Sequence, residues 1–420
     1  MLALFLGENM KYTNAFTNDF VLTDDILSIG QQAKERKRLN PKTIDATIGA
    51  LLDDSGKLLA FQTVEDTLNS LDSRKVRAYP PVDGGKPFKS ALKHWVFQDT
   101  LNHLEQHFKM EVLATPGASG ALSNILSNYV TKGDLVVLPD IFWSNYAAII
   151  HATESGFVTF PMFLNQGFNL DGFKMITTQV AEKTNKVVVL LNDPCQNPTG
   201  YSLSETELKG VIQHLDALAK NTPVVLIYDI AYLDYADIDY KDTRKRFLNF
   251  LDVKSDLLIT VAFSASKTFG IYGYRGGGIV ALSKSQTVID EFSRASLYKA
   301  RSTWSCPPTE PIFLLNTLVE DTVLNQTFRT ELNEVRNLLQ KRAKAFIEEA
   351  KQIGLKHYPY VSGFFVTIPV ESPKKVFERL KEQDIFVVPL SNAIRVALAA
   401  ITELEIIGLP TKIKREIEKA

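Results

Sequence analysis

The chain has 420 residues, of which 45% are hydrophobic and 23% charged, as expected of a soluble globular protein with roughly two or three domains. Its 47 Lys and Arg residues balance 48 Asp and Glu residues, and the net charge of -1 gives no reason to expect nucleic-acid binding. The two cysteines, Cys195 and Cys306, have no metal-type spacing and cannot form a disulfide framework, which favours a cytoplasmic protein.

The chain begins with six apolar residues that lack a basic leader and precede a polar segment. We therefore expect neither a signal peptide nor a membrane span. Met10 is an alternative to Met1 as the start of the protein. We assign residues 1–55 to a small domain that also includes the C-terminal part of the chain.

From about residue 88 to residue 300, short apolar runs alternate with helical patterns, which predicts an α/β domain. Several runs are continuous in Val, Ile and Leu, as in strands covered on both faces, so the sheet is predicted to be mainly parallel. The predicted strands are 112–114, 135–138, 187–191, 224–228, 257–263 and 278–282, and the predicted helices are 88–108, 119–130, 204–220 and 285–298. Ser204 and Glu207 have the spacing of a capping box. We assign residues 56–308 to this large domain.

After residue 308 the pattern changes. A long helical run extends to about residue 353, short strands are predicted at 364–368, 385–388 and 394–397, and a helix over 402–419 closes the chain. We assign residues 309–420, together with residues 1–55, to a smaller α+β domain.

Each motif with a possible chemical role follows a predicted strand, where ligands bind in open α/β sheets. The first is TPGASG at residues 115–120, in which Gly117 permits a tight turn. The backbone N–H of Ala118 and the hydroxyl of Ser119 would then face a phosphate at a helix N-terminus. A plain turn with a serine cap is the alternative.

Two further motifs suit an aromatic ring. The loop NDPCQNPTG at residues 192–200 is stiffened by two prolines, and Asn197 could donate to a phenolic oxygen. Asp229 follows the strand 224–228 and could pair with a protonated ring nitrogen, while Tyr232 could reach an oxygen of the same ring. A turn aspartate and a core tyrosine are the alternatives.

The most informative segment is FSASKTFG at residues 263–270. Lys267 offers an amine that can form a Schiff base, while the hydroxyl of Ser264 and the guanidinium of Arg275 suit a phosphate. Pyridoxal phosphate is both a carbonyl compound and a phosphate monoester. A surface lysine after a buried strand is the alternative, but one cofactor explains all four motifs together.

With these motifs the chain resembles the class I aminotransferases of the pyridoxal-phosphate fold type I superfamily, above all the aspartate and aromatic amino acid group. The resemblance runs from Ile48 to the final helix and rests on NPTG at 197–200, SASK at 264–267 and Arg275. It implies a homodimer with shared active sites that transfers an amino group between an amino acid and a 2-oxo acid. It also implies Lys267, Asp229 and Tyr232 as catalytic residues.

The same resemblance implies two sets of binding residues. Those for the cofactor are Tyr79 (reaching in from the neighbouring subunit), Ala118, Ser119, Trp143, Asn197, Asp229, Tyr232, Ser264, Lys267 and Arg275. Those for the substrate are Gly49, Trp143, Asn197, Arg301 and Arg395. Arg395 would bind the α-carboxylate, since guanidinium and carboxylate pair bidentately. Arg301 is either a surface charge at a helix end or the group that, from the partner chain, binds a distal carboxylate, which would imply aspartate, glutamate and 2-oxoglutarate as substrates.

Two residues depart from the pattern of this group. Gln196 and Tyr146 each stand where the aspartate enzymes often have histidine, and at the place of Tyr146 that histidine often supports the aspartate, so the preferred amino donor stays open. A β-elimination or β-decarboxylation on the same fold is the alternative activity. A non-catalytic cofactor-sensing regulator is a further alternative, but it would need a DNA-binding module, and only about 50 residues precede the large domain.

Overall fold

The computed structural model describes residues 25–236 and 239–420, so Met1 and Met10 lie outside the described residues. Its strands are β1 Ile44–Asp45, β2 Lys109–Pro116, β3 Leu135–Pro139, β4 Gly156–Phe160, β5 Phe163–Leu164, β6 Gly167–Phe168, β7 Val187–Asn192, β8 Val224–Asp229, β9 Leu258–Ser264, β10 Gly276–Ser283, β11 Phe365–Pro369, β12 Ile385–Phe386, β13 Val388–Pro389 and β14 Ala393–Ala397. Its α-helices are α1 Asp25–Leu39, α2 Gln62–Ser70, α3 Ser73–Arg77, α4 Gly85–Phe97, α5 Leu101–His107, α6 Gly117–Tyr129, α7 Asn145–His151, α8 Leu170–Lys183, α9 Glu205–Leu218, α10 Tyr240–Lys245, α11 Ala265–Thr268, α12 Gln286–Thr303, α13 Thr309–Glu320, α14 Thr322–Ile353, α15 Pro373–Lys381, α16 Glu403–Ile406 and α17 Leu409–Glu418. Short 3-10 helices span Gln98–Thr100, Leu233–Tyr235, Arg246–Asp252, Tyr272–Tyr274 and Leu398–Ala400.

Within the described residues, the central sheet has seven strands in the order β2-β10-β9-β8-β7-β3-β4. Strand β10 runs antiparallel to both of its neighbours, and the other neighbouring pairs are parallel. Along β7, Val187 and Val189 face one hydrophobic cluster, and Val188 faces another on the opposite side of the sheet. Both faces are therefore covered, which is why β7 and β8 are continuous apolar runs. The predicted α/β fold with a mainly parallel sheet is confirmed.

A third hydrophobic cluster lies around β11, β14 and helices α1, α15 and α17. In it, β1 from the N-terminal part of the chain pairs in parallel with β12, with Ile44 opposite Ile385. Helix α14 contributes Phe328 to the sheet cluster that contains Val187, and Phe346 to this third cluster. Helix α13 packs into the cluster of Val187 through Leu314, so the boundary near residue 308 remains a prediction.

Several predicted helices are shorter than expected. The run 88–108 is interrupted because Gln98 adopts a positive φ of 49° after α4. The run after residue 308 breaks at Asp321, whose carboxylate caps α14 by accepting from the backbone N–H groups of Val323 and Leu324, each at 2.9 Å. The closing helix is divided at Gly408, which has a φ of 77°. The capping box of Ser204 and Glu207 is present.

The edge strand β4 and helices α7 and α8 are absent from the predicted elements: β4 mixes polar and apolar residues without a clear period, and α7 has only seven residues. Helix α8 does have a helical spacing, in its buried residues Phe173, Thr177 and Val180. Strand β4 reads GFVTF, and most of its residues are only partly buried. Among the described residues, no helix is both long and apolar enough to cross a membrane.

Candidate active site

Four strands of the sheet end at the same edge, since β2, β7, β8 and β9 all run in one direction. Residues with possible chemical roles stand at these ends. Asp229 is the last residue of β8, Ser264 is the last residue of β9, and α6 begins with Gly117 directly after β2. The fold therefore gathers at one edge the motifs that the sequence pointed to.

Lys267 lies in the single-turn helix α11 that follows β9. Its Nζ donates to the carbonyl oxygen of Gly49 at 3.2 Å and lies 4.7 Å from the centre of the Tyr272 ring. Burial and, after it, the charges of Arg275 and Arg395 lower the pKa of Lys267 to about 8, while the charge of Asp229 opposes this shift. A lysine with such a pKa is partly neutral near physiological pH and can act as a nucleophile or base.

Asp229 is a buried carboxylate with two hydrogen-bond donors. The hydroxyl of Tyr146 donates to Oδ2 at 2.7 Å, and the backbone N–H of Ala231 donates to Oδ1 at 2.9 Å. Burial raises the pKa of Asp229, and the two hydrogen bonds and the charge of Lys267 act in the opposite direction. Tyr146 is absent from the predicted catalytic and binding residues, although the resemblance places it where a histidine often supports the aspartate, and it reaches Asp229 from α7, which packs against α6 and β4.

Asn197, Tyr232 and Arg395 form a buried chain of polar groups. Nδ2 of Asn197 lies 3.5 Å from the hydroxyl of Tyr232, the length of a weak hydrogen bond. Nη1 of Arg395 donates to Oδ1 of Asn197 at 3.3 Å, and its Nη2 donates to the carbonyl oxygen of Thr47 at 2.6 Å. The structure thus brings Arg395, in β14, against the loop that follows β7 of the central sheet.

The guanidinium of Arg395 lies 4.4 Å above the ring of Phe365, and burial lowers its pKa to about 10. Within the described ranges it forms no salt bridge, and its buried Nε has no hydrogen-bond partner. A Cβ on Gly49 would meet the same Phe365 ring at 2.7 Å. A buried cation that lacks a carboxylate partner favours binding of an anion.

Arg275 lies beside the N-terminus of α6. Its Nη1 donates to the hydroxyl of Ser266 at 3.2 Å and to the carbonyl oxygen of Tyr272 at 2.7 Å. A Cβ on Gly117 would lie 2.7 Å from Nη2 of Arg275, and Gly117 has a φ of 72°, so this approach requires glycine. Ala118 and Ser119 follow in the first turn of α6, where free N–H groups and a guanidinium together suit a phosphate.

The remaining predicted residues are placed differently. Trp143 is partly buried, with its ring 5.4 Å from that of Tyr146. Tyr79 is 92% exposed, and Arg301 is exposed with its guanidinium donating to Ser305 at 2.6 Å. In the part of the chain that the structure describes, no hydrogen bond, ion pair or ring contact joins Tyr79 or Arg301 to the other site residues.

The side chain of Gln196 links its own loop internally and joins it to the segment after β3. Its Oε1 accepts from the backbone N–H and the hydroxyl of Thr199, at 3.0 and 2.6 Å, and its Nε2 donates to the carbonyl oxygen of Ile141 at 2.8 Å. The backbone N–H of Asn197 donates to Oδ1 of Asn192 at 2.8 Å. Gln196 therefore stiffens the loop that presents Asn197.

Comparison with known proteins agrees with this geometry. Residues 41–409 match the family described as aminotransferase class I and II. The chain belongs to this family. The aminotransferase is 25% identical to a tyrosine aminotransferase of Rhizobium meliloti (strain 1021) over 371 residues, which cover 86% of this chain and 90% of that one. It is 24% identical to an aspartate aminotransferase of Haemophilus influenzae over 391 residues, which cover 90% and 94% of the two chains.

The fold of the aminotransferase also matches solved structures. An aminotransferase from Anaerococcus prevotii DSM 20548 has a TM-score of 0.92 at 30% identity, with 97% of this chain and 100% of that one covered. An aromatic-amino-acid aminotransferase from Burkholderia pseudomallei, covalently bound to pyridoxal phosphate, has a TM-score of 0.79 at 21% identity, with 96% and 100% covered. The predictions of an aminotransferase, of fold type I and of pyridoxal phosphate as cofactor are confirmed.

The residues of the site fit this cofactor. The buried carboxylate of Asp229 suits a protonated ring nitrogen, and the amine of Lys267 has a lowered pKa. The close approach of Arg275 to Gly117 leaves no space for a side chain at that position, and it brings a guanidinium beside the N-terminus of α6, as a phosphate requires.

Proposed function

We propose that this aminotransferase transfers the amino group of aspartate, glutamate or an aromatic amino acid to a 2-oxo acid such as 2-oxoglutarate. The buried guanidinium of Arg395, which lacks a carboxylate partner among the described residues, is the observation that carries this proposal. It lies within hydrogen-bond distance of Asn197, on the side of the site that also holds Lys267 and Gly49. The names of the relatives support the same range of substrates.

The proposed cofactor site consists of residues whose charges and hydrogen-bonding groups match those of pyridoxal phosphate. The carboxylate of Asp229 would hold the ring nitrogen, and Asn197 and Tyr232 would bind the ring oxygen. The phosphate would be bound at the N-terminus of α6 by Ala118 and Ser119. The side chains of Ser264 and Arg275, on the neighbouring strand and turn, would also bind it. Trp143, packed against Tyr146, would cover one face of the ring.

When bound, pyridoxal phosphate supplies an electron sink that makes the α-proton of an amino acid acidic. Lys267 acts as the base, since its lowered pKa leaves Nζ partly unprotonated near pH 8. Its Nζ removes the proton from the substrate α-carbon and holds it. Arg395 fixes the substrate carboxylate and so orients the reacting bond toward Nζ. Position 49 admits only glycine, because a Cβ there would collide with the ring of Phe365, which also lies against the guanidinium of Arg395.

The proposal includes a cytoplasmic homodimer with shared sites. Tyr79 and Arg301 are exposed, and their predicted roles require them to enter the site of a second copy of the chain. Tyr79 would then bind the phosphate, and Arg301 would bind a distal carboxylate. The presence of only two cysteines, of which Cys195 is a buried free thiol, favours the cytoplasm.

A substrate screen tests this proposal. The purified protein with pyridoxal phosphate is assayed with the common amino acids against 2-oxoglutarate, and products are identified by mass spectrometry. We expect glutamate and a new 2-oxo acid. Arg395→Gln should raise KM for the amino acid about 100-fold, since a charged hydrogen-bonded pair is lost, and leave cofactor affinity unchanged. Pyruvate with ammonia, or alanine with carbon dioxide, as the main products would contradict the proposal.

A further inference from the structure

Two consecutive residues outside the predicted site contact the turn that carries Lys267. They are Asp234 and Tyr235, in the 3-10 helix Leu233–Tyr235 after β8. The hydroxyl of Tyr235 donates to the carbonyl oxygen of Lys267 at 2.8 Å, and Oδ2 of Asp234 accepts from the hydroxyl of Thr268 at 2.8 Å. Tyr235 thus holds the carbonyl oxygen of the peptide between Lys267 and Thr268, and Asp234 holds the side chain of Thr268.

Asp234 is itself fixed by several partners. Its side chain is 1% exposed, and its Oδ1 accepts from Nη2 of Arg244 and, at 3.4 Å, from Nη1 of Arg329. Its Oδ2 also accepts from the indole N–H of Trp95 at 3.2 Å. Burial opposes the ionisation of Asp234, but the charges of Arg244 and Arg329 outweigh it and lower its pKa to about 2. Asp234 is therefore a permanent carboxylate acceptor.

Arg329, one of the two arginines that contact Asp234, is packed between two aromatic rings. The guanidinium of Arg329 lies 3.9 Å from the centre of the Trp95 ring and 4.4 Å from that of Tyr240. The ring of Trp95 also packs against Phe269, two residues after Lys267, at 5.0 Å between centres. The turn of Lys267 therefore rests on a buried support made by α4, α10 and α14.

We propose that Asp234 and Tyr235 are positioning residues for Lys267: by holding the peptide between Lys267 and Thr268, they keep the lysine amine inside the site. A lysine has a flexible four-carbon stem, so the position of its amine depends on how firmly its backbone is held. Neither residue is proposed to touch the substrate or the reacting atoms. The inference rests on the role of Lys267 under the proposed function.

The test removes the two hydrogen bonds with small changes. Thr268→Val and Tyr235→Phe each delete one hydroxyl, and the double variant deletes both, while the charged neighbours Asp229, Arg275 and Arg395 are kept. The matched control is Thr260→Val, which deletes another buried threonine hydroxyl, one that donates to the carbonyl oxygen of Leu226 at 3.1 Å.

The first readout needs no cofactor. Acylation of Lys267 in the apoprotein is followed against pH by peptide mass spectrometry, which gives the pH at which the amine becomes reactive. We expect a midpoint of about 8 for the natural protein and for Thr260→Val. In the double variant the amine should reach water more often, and the midpoint should rise by about one pH unit toward that of an ordinary lysine. With cofactor, kcat should fall about tenfold with little change in KM.

A double variant that loses thermal stability but keeps the acylation midpoint and kcat would overturn the positioning role and leave only a structural one. Failure of the proposed function gives a different result. If Lys267→Ala kept its turnover, the assignment of Lys267 itself would be wrong, whatever the acylation profile of the double variant.

Discussion

The hydroxyl of Tyr146 donates a 2.7 Å hydrogen bond to Oδ2 of Asp229, the buried carboxylate at the end of β8. The phenol is neutral, so this pair keeps the full negative charge of the carboxylate available to a cationic partner. Burial alone would favour protonation of Asp229, and the hydrogen bond from Tyr146 opposes it. In this chain, a tyrosine thus supports the group proposed to hold the cofactor ring.

Removing the phenol should weaken cofactor binding. Tyr146→Phe deletes the hydrogen bond, which further raises the pKa of Asp229, so the carboxylate loses its charge at a higher pH as the solution is acidified. We expect affinity for pyridoxal phosphate to fall about tenfold, or about 1.4 kcal/mol, with the largest deficit at the acidic end of the profile. Titration of the apoprotein with pyridoxal phosphate between about pH 5.5 and 8 measures this, with Tyr129→Phe as control. Equal affinities for Tyr146→Phe and the natural protein across that range would rule out this role.

The buried ion pairs of Asp234 with Arg244 and Arg329 should contribute strongly to the free energy of unfolding. Asp234→Asn leaves Arg244 and Arg329 buried without their carboxylate, and breaking such a pair costs about 3–5 kcal/mol. Urea unfolding at pH 7 should show this loss. Asp242→Asn, which removes an exposed partner of Lys245, is the control and should leave the midpoint unchanged. A stability of Asp234→Asn within error of the control would contradict the buried network.

Mixed dimers test whether sites are shared between copies of the chain. In the proposed dimer, each site takes Lys267 from one copy of the chain and Arg301 from the other. A dimer of one Lys267→Ala copy and one Arg301→Ala copy should therefore contain one site with both defects and one complete site. Random mixing of the two inactive variants should then restore about a quarter of the natural activity toward aspartate. Mixing Lys267→Ala with Arg395→Gln is the control, because both changes would affect residues of one chain and no complete site forms. Restoration in the control, or none in the first mixture, would exclude shared sites of this kind.

The sequence predicted those parts of the fold and site that depend on local pattern. The strands before Asn197, Asp229 and Lys267 are continuous apolar runs, and polar or turn-forming residues follow each of them. The sheet, and the edge at which the candidate site residues lie, could therefore be predicted. Ser204 similarly marked the start of α9 because its capping box is a local signal.

Features that depend on tertiary contacts could not be predicted in this way. The contact of Asp234 with Arg329 joins residues 95 positions apart, whereas that of Tyr146 with Asp229, 83 positions apart, is indicated only by the family resemblance. Strand β4 pairs only with β3 at the edge of the sheet, and its mixture of glycine, threonine and aromatic residues shows no strong period. The break at Gln98 needs a positive φ, which a glutamine gives no local reason to expect.

The central claim is that Lys267 carries amino-group transfer, and isotope transfer tests it most directly. The protein is incubated with pyridoxal phosphate, 15N-labelled glutamate and the 2-oxo acid of aspartate or of an aromatic amino acid, and the new amino acid is analysed by mass spectrometry. We predict that the label appears in the new amino acid with the natural protein and is absent with Lys267→Ala. Release of the label as ammonia by the natural protein, or undiminished transfer by Lys267→Ala, would contradict the claim.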